Sequence, residues 1–178
     1  MIRLFVALDF PDAVRERLAG LGGGVPGARW TDPDNLHLTL RFIGEVPDDQ
    51  AADIDAALAT IEAPGFDLVL DGVGIYGSAR AARILWAGVE RSEPLAHLQN
   101  KVESALVRCG LPAEERRFSP HVTLARLKDA PRDRLARFLE DRALFRAGPF
   151  HVEHFTLYRS LLGKGGAVYE ALREYPLG

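Results

Sequence analysis

The chain has 178 residues, 47% of them hydrophobic and 26% charged, a composition that fits one folded domain over residues 1–178 and excludes a disordered chain. Its formal net charge of −3 excludes a globally basic nucleic-acid binder, and its one cysteine, Cys109, excludes an internal disulfide or a multi-thiolate metal site. Because it lacks a signal-peptide pattern and an apolar run near the ~20 residues of a membrane span, we expect a cytoplasmic protein without membrane contact, and nothing indicates an obligate protein partner.

The first half of the chain predicts alternating strands and helices. Short apolar runs with a period of two indicate strands, and apolar residues three and four positions apart indicate helices. These patterns predict a strand at residues 3–9, a helix at 12–21, a strand at 36–43 and a helix at 47–61. Two further strands are predicted at 66–70 and 84–89, around a glycine-rich connection at 71–77 whose glycines permit tight turning.

The second half repeats this order. Ser92 and Glu93 are typical of a helix start and precede an apolar stripe, which predicts a helix at 92–107. The remaining patterns predict a strand at 121–126, a helix at 131–139, and strands at 150–161 and 167–172 joined by a turn at 163–166. No linker separates the two halves, so we predict one α+β unit with a shared core and weak internal symmetry.

A histidine followed two residues later by a threonine occurs three times. The copies are His37-Leu38-Thr39-Leu40, His121-Val122-Thr123-Leu124 and His154-Phe155-Thr156-Leu157. Chance predicts roughly 0.14 such pairs in a chain of this composition. A single copy is also what a half-buried strand produces. Two copies, those at His37 and His121, each follow a loop-like segment and are placed symmetrically in the two halves, which suits a shared central site.

The spacing within each copy suits phosphate chemistry. Residues two apart in a strand project from the same face, so the imidazole and the hydroxyl lie side by side while the apolar residues enter the core. A hydroxyl donates a hydrogen bond to a phosphate oxygen, and an imidazole gives or takes a proton at neutral pH. Two such units facing each other would supply one acid and one base. Chemistry alone leaves open which histidine has which role.

Three segments together resemble a known superfamily. RLFVAL at residues 3–8, NLHLTL at 35–40 and PHVTL at 120–124 are similar to the two-histidine phosphoesterases, and FTLY at 155–158 extends the match. Within that superfamily the sequence most resembles the bacterial and archaeal RNA 2′,3′-cyclic phosphodiesterases, also called 2′-5′ RNA ligases. The resemblance covers nearly the whole chain.

The resemblance implies a bilobal α+β fold, with two pseudo-symmetric lobes of antiparallel sheet and outer helices around a central cleft. It implies hydrolysis of a terminal 2′,3′-cyclic phosphate on RNA or a nucleotide to a 2′-phosphomonoester, with minor 2′-5′ ligation. His37 would be the general acid toward the leaving 3′ oxygen and His121 the general base that activates water. Thr39 and Thr123 would hold the phosphoryl oxygens. His154 falls where no catalytic histidine is expected, so we predict a structural role for it.

Other side chains are weaker candidates. Arg126 follows the second motif at a position where the family often has arginine, so it is a candidate phosphate contact or a solvated strand-end charge. Arg41 shares strand parity with His37, but it could equally be a surface residue. Tyr158 and Ser160, which share parity with Thr156, could line the cleft or an ordinary sheet face. Aromatic side chains could stack on a base, although most are expected in the core: Phe5, Trp30, Phe42 and Trp86.

Three rival functions have less support. A metal enzyme is disfavoured because the chain has no HExxH and no cysteine pair, so we expect neither a metal nor another cofactor. ATP-driven ligation is disfavoured because there is no GxxxxGK[ST] loop. A noncatalytic RNA-end binding module of the same fold stays open, although two complete motifs favour an enzyme.

Overall fold

The computed structural model describes all 178 residues and contains nine strands and four α-helices. In chain order these are β1 Ile2–Leu8, α1 Asp12–Ala19, β2 Ala28–Trp30, β3 Leu38–Val46, α2 Asp48–Ala59, β4 Phe66–Gly77, β5 Ala82–Val89, α3 Glu93–Arg108, β6 His121–Leu127, α4 Arg132–Asp141, β7 Arg146–Val152, β8 His154–Gly163 and β9 Gly166–Pro176. None of the helices is long and apolar enough to cross a membrane.

All strand pairs are antiparallel, and eight strands follow the order β7-β4-β5-β6-β3-β1-β8-β9, while the short β2 pairs with β6. Strands β3 and β6 are joined by one residue pair, Leu38 with Val122. The sheet therefore divides there into two lobes of four main strands each. Helix α3 packs on β3 of one lobe, and α1 packs against β7 of the other. This confirms the bilobal α+β fold.

The lobes share their apolar interior because the connecting helices cross between them. Helix α1 follows β1 of the first lobe, yet the Phe10 ring that precedes it packs edge-on against Phe150 of β7 at 5.7 Å. Helix α3 follows β5 of the second lobe but packs on β3 of the first. The buried apolar side chains of both lobes accordingly form one cluster of 38 residues. Burial of this cluster is the main force that holds the two lobes together.

Helix α3 lies where the sequence predicts it. The Ser92 hydroxyl accepts a hydrogen bond from the Leu95 backbone N–H at 3.2 Å, which caps the first turn. The buried residues Leu95, Leu98, Val102 and Leu106 recur every three or four positions and form one face. Local spacing was sufficient to predict this element because its apolar face is continuous.

Two stretches of the sheet differ from their predictions by more than a few residues at one end. The glycine-rich connection at 71–77 is the second half of strand β4, and Gly74 pairs with Trp86, where a Cβ would lie 2.2 Å from the indole ring. Gly74 thus does not form a turn. It lies in a strand, where the absence of a side chain leaves space for an aromatic ring. The predicted strand at 150–161 is two strands, β7 and β8, separated by Glu153 alone. Because β7 is an edge strand and β8 pairs with β1, the sheet must curl to bring them together.

Candidate active site

The two predicted motifs face each other at the junction between the lobes. Because β3 and β6 run antiparallel through the pair Leu38 and Val122, His37 lies opposite Thr123 and Thr39 lies opposite His121. Leu38 and Val122 are fully buried and pack into the core. Each histidine therefore has the threonine of the other motif across from it. This is the arrangement that a two-fold pseudo-symmetric site requires.

All five residues predicted for the site line one cavity of about 340 Å³: His37, Thr39, His121, Thr123 and Arg126. His37 itself lies one residue before β3, since that strand begins at Leu38 rather than at Leu36 as predicted. Its side chain nevertheless reaches the same cavity as Thr39. The structure therefore brings the predicted residues together in one cavity.

Both imidazoles are held by equivalent hydrogen bonds. His37 Nδ1 lies 2.5 Å from the Asn35 carbonyl oxygen, and His121 Nδ1 lies 2.8 Å from the Ser119 carbonyl oxygen. A carbonyl only accepts, so each Nδ1 carries the proton and donates it. Each Nε2 is then the nitrogen that can give or take a proton in the cavity. The two loops thus fix the same tautomer in both histidines.

The surroundings of His37 favour its neutral form. Its ring packs against the Phe5 ring at 4.9 Å and edge-on against the Tyr169 ring at 5.2 Å. The pKa of His37 is lowered, mainly because burial disfavours the charged imidazolium. The hydrogen bond to Asn35 opposes this shift, and the charge of His121 adds to it. In the free protein, His37 therefore loses its proton at a lower pH than an ordinary histidine.

Tyr76 positions the second histidine and was missed in the sequence. Its hydroxyl lies 2.8 Å from Ser119 Oγ and 3.4 Å from His121 Nδ1, and its ring packs edge-on against the imidazole at 5.0 Å. Tyr76 belongs to the segment predicted as a glycine-rich connection. Only the antiparallel pairing of β4, β5 and β6 brings it beside His121, so no local pattern could have found it.

A β-bulge follows each motif and reverses the side-chain parity. The register shifts at Leu40 in β3 and at Leu124 in β6, where one residue has no partner on the neighbouring strand. Beyond the bulges, Phe42 and Arg126 line the cavity although their parity differs from that of the histidines. Arg41 is correspondingly turned away. The bulges are thus part of what builds the site.

Arg41 is a structural residue rather than a cleft residue. Its side chain is 7% exposed, and its Nε donates to the Glu103 carboxylate on α3 at 2.7 Å. A second guanidinium nitrogen donates to the Pro112 carbonyl at 2.5 Å. The parity argument that made Arg41 a candidate failed because the bulge at Leu40 turns its side chain to the other face of the sheet.

The 2′-5′ RNA ligase superfamily model matches residues 10–164. The chain belongs to that superfamily. It is 31% identical over 177 residues to the RNA 2′,3′-cyclic phosphodiesterase of Archaeoglobus fulgidus, covering 98% of this chain and 99% of the relative. It is 32% identical over 185 residues to the Escherichia coli K12 protein of the same name, and the alignment covers 98% of this chain and 96% of that protein. The resemblance seen in the sequence is confirmed.

Solved structures share the fold over most or nearly all of the chain. The E. coli LigT structure complexed with 3′-AMP is 32% identical and has a TM-score of 0.78, with 99% of this chain and 98% of that chain covered. The MHV ns2 PDE domain is 17% identical and has a TM-score of 0.57, with 89% of this chain and 99% of that chain covered. At this identity the comparison shows the fold alone. The overall fold is therefore shared with both of these solved structures.

The weaker candidates separate into cavity and core residues. Phe5, Phe42 and Ser160 line the cavity, and so does Arg3, whose guanidinium lies 5.3 Å from the centre of the Phe42 ring. Trp30 packs against Phe138 at 5.7 Å, and Trp86 fills the space beside Gly74, so neither indole is a stacking platform in this cleft. The aromatic surface of the cavity is therefore on the lobe that carries His37.

Tyr158 lies behind the cavity wall. It stacks on Phe5 with ring centres 5.1 Å apart, and burial, followed by the charge of Asp9, raises the pKa of Tyr158 to about 12. The third motif histidine, His154, is not among the cavity residues. Its Nε2 lies 3.0 Å from an Asp9 carboxylate oxygen instead. The first half of β8, residues 154–158, thus supports the site from outside and presents a different set of polar groups.

Proposed function

We propose that the chain hydrolyses a terminal 2′,3′-cyclic phosphate on RNA or a nucleotide to a 2′-phosphomonoester, with His37 and His121 as the acid–base pair. The observation that carries this proposal is the antiparallel pairing that sets each histidine opposite the other motif's threonine. The relatives in A. fulgidus and E. coli are named RNA 2′,3′-cyclic phosphodiesterases. Further support comes from the E. coli LigT structure, which shares the fold and is complexed with the nucleotide 3′-AMP.

In the proposed reaction the phosphate lies between the two motifs. Thr39 and Thr123 donate hydrogen bonds to non-bridging oxygens, and Arg126 contributes positive charge. His121 Nε2 takes a proton from water, whose oxygen forms the new bond to phosphorus. His37 Nε2 gives a proton to the 3′ oxygen as the phosphorus–3′-oxygen bond breaks. The products are a 2′-phosphate and a 3′-hydroxyl, and proton exchange with solvent restores both imidazoles.

The lowered pKa of His37 bears on its proposed role as the acid. Burial lowers the pKa of His37 and so favours the neutral imidazole in the free protein, whereas a general acid must be protonated. An anionic phosphate within a few ångströms favours the imidazolium and raises the pKa. Binding of the substrate would therefore supply the charge that holds the proton on His37. His37 would thus act as the acid when substrate occupies the site.

The same groups could join RNA ends as a minor reaction. A 5′-hydroxyl in the place of water would attack the cyclic phosphate and form a 2′-5′ linkage, with no nucleotide cofactor. Water greatly outnumbers RNA ends, so hydrolysis should dominate. A noncatalytic RNA-end binding module is the alternative, and it would hold the phosphate through the same threonines without turnover.

Product analysis tests the proposal. The purified protein is incubated with an RNA oligomer and a mononucleotide that carry 2′,3′-cyclic phosphates, and the phosphomonoester isomer is identified by chromatography against standards. We expect mostly 2′-phosphate and little ligated RNA. Mostly 3′-phosphate or mostly ligated RNA would contradict the assignment. Binding without any product would favour the noncatalytic module.

A further inference from the structure

The third histidine–threonine copy lies beside two carboxylates on neighbouring strands. His154 and Thr156 project from the same face of β8, and Glu174 on β9 is paired in register with Thr156. Asp9 directly follows β1, which pairs with β8 on its other side. Three strands thus bring an imidazole, two carboxylates and a hydroxyl to one place. None of these four residues is among those that line the reaction cavity.

The donor atoms of this cluster are close together and partly shielded from solvent. His154 Nε2 lies 3.0 Å from Asp9 Oδ1 and 3.8 Å from Glu174 Oε1. One donor atom from each of the three residues lies within 4.8 Å of the other two. The side chains of His154, Asp9 and Glu174 are 25%, 35% and 61% exposed. The cluster is therefore reachable from solvent on the Glu174 side.

Hydrogen bonds within the chain do not satisfy the cluster. His154 Nε2 is buried and forms no hydrogen bond, although an Asp9 carboxylate oxygen lies 3.0 Å away. The Thr156 hydroxyl, in a residue that is 1% exposed, interacts with the Tyr158 phenol. Buried polar atoms are nearly always satisfied by protein, water or an ion. The His154 nitrogen, which lies near two carboxylates without a hydrogen bond, therefore points to an additional bound species.

We propose that Asp9, His154 and Glu174 bind one divalent transition-metal cation of the Zn²⁺ type. A tetrahedral centre with ligand bonds of about 2.1 Å sets its ligands about 3.4 Å apart, and the two measured separations lie on either side of that value. Two carboxylates balance the charge of the cation, and an imidazole nitrogen favours Zn²⁺ over Mg²⁺ or Ca²⁺. The Thr156 hydroxyl or a water would complete the coordination.

Such a cation would tie the last strand to the centre of the sheet. Glu174 belongs to the edge strand β9, whereas Asp9 follows the central strand β1. A ligand that binds only the folded chain stabilises it. The cation lies apart from the proposed catalytic histidines, so it would act on stability and would have no part in the hydrolysis step.

Calorimetric titration of the full chain with Zn²⁺, and separately with Mg²⁺, tests the site. We expect one Zn²⁺ site with much weaker Mg²⁺ binding, and His154→Ala and Glu174→Gln should each raise the dissociation constant at least about tenfold. His151→Ala is the matched control. His151 also contacts a carboxylate, that of Asp67, at 2.9 Å, but it does not belong to the cluster of Asp9, His154 and Glu174. It should leave the affinity unchanged.

The two proposed sites can be told apart because His121→Ala should keep Zn²⁺ binding while it lowers turnover at least about 100-fold. Loss of Zn²⁺ binding in His121→Ala, with normal binding in His154→Ala, would overturn the metal proposal without touching the proposed activity. Melting experiments give a second readout that does not depend on turnover. Zn²⁺ should raise the melting temperature of the natural chain but not that of Glu174→Gln, whose fold is checked by circular dichroism. An equal rise in the melting temperatures of the natural chain and Glu174→Gln would also overturn the proposal. Water would then be the species that occupies the cluster.

Discussion

Replacement of either cavity histidine by alanine tests the proposed chemistry most directly. A positioned acid or base contributes at least about 100-fold to a rate, which corresponds to about 2.7 kcal/mol of transition-state stabilisation. We therefore expect His37→Ala and His121→Ala each to lower turnover by at least that factor. If the two histidines acted independently, the double variant would lose about 10,000-fold. In the proposed mechanism both histidines act in one transition state, so the double variant should be little worse than either single one.

The pH dependence of the single variants shows which histidine has which role. The natural chain should give a bell-shaped profile of kcat/KM. In His37→Ala, the remaining His121 acts as the base, so the residual rate should rise with pH. In His121→Ala, the remaining His37 acts as the acid, so the rate should fall as pH rises. Burial lowers the pKa of His37, and its ionisation should therefore appear below the ordinary value of about 6.5.

The assay is steady-state hydrolysis of a 2′,3′-cyclic mononucleotide between about pH 5 and pH 9, the range in which histidine changes charge. His151→Ala serves as the activity control because His151 lies on the edge strand β7, outside the cavity. Losses that multiply in the double variant would refute the idea of a single concerted pair. A rate that falls with pH in His37→Ala and rises in His121→Ala would show that the acid and the base have been assigned the wrong way round.

The remaining predictions concern the threonines, metal dependence and packing. Thr39→Ala and Thr123→Ala should each lower turnover by about tenfold, less than the histidines, because each removes one hydrogen bond to the phosphate; a loss equal to that of a histidine would contradict this. Hydrolysis should persist in excess chelator at a temperature where the chain stays folded, and a complete, metal-restorable loss of activity would refute the acid–base mechanism. Gly74→Ala should lower the free energy of unfolding by about 1–3 kcal/mol, measured by urea denaturation, because its Cβ would meet the Trp86 ring. Gly165→Ala, with nothing within 4 Å of the added Cβ, should change stability little.

The predictions from sequence succeeded where the signal is local. Helix α3 has a capping serine and a continuous apolar face, so its position followed from spacing alone. The same holds for strand β6, in which His121 and Thr123 alternate with buried residues. The errors lie where a neighbouring element overrides a local pattern. Gly74 reads as a turn residue, yet it belongs to a strand because the Trp86 ring on the next strand needs the space.

The sequence by itself determined the chemistry that is available, because an imidazole and a hydroxyl two residues apart share a face in any strand. The symmetric placement of two copies and the family resemblance also favoured His37 and His121 over His154. How these two copies meet depends on the pairing of Leu38 with Val122, which joins residues far apart in the chain. The bulge that turns Arg41 away from the cavity and the pairing that brings Tyr76 to His121 are likewise non-local. Register between distant strands is set by burial of the whole core, so only the tertiary structure decided where the third copy went and which carboxylates lie beside it.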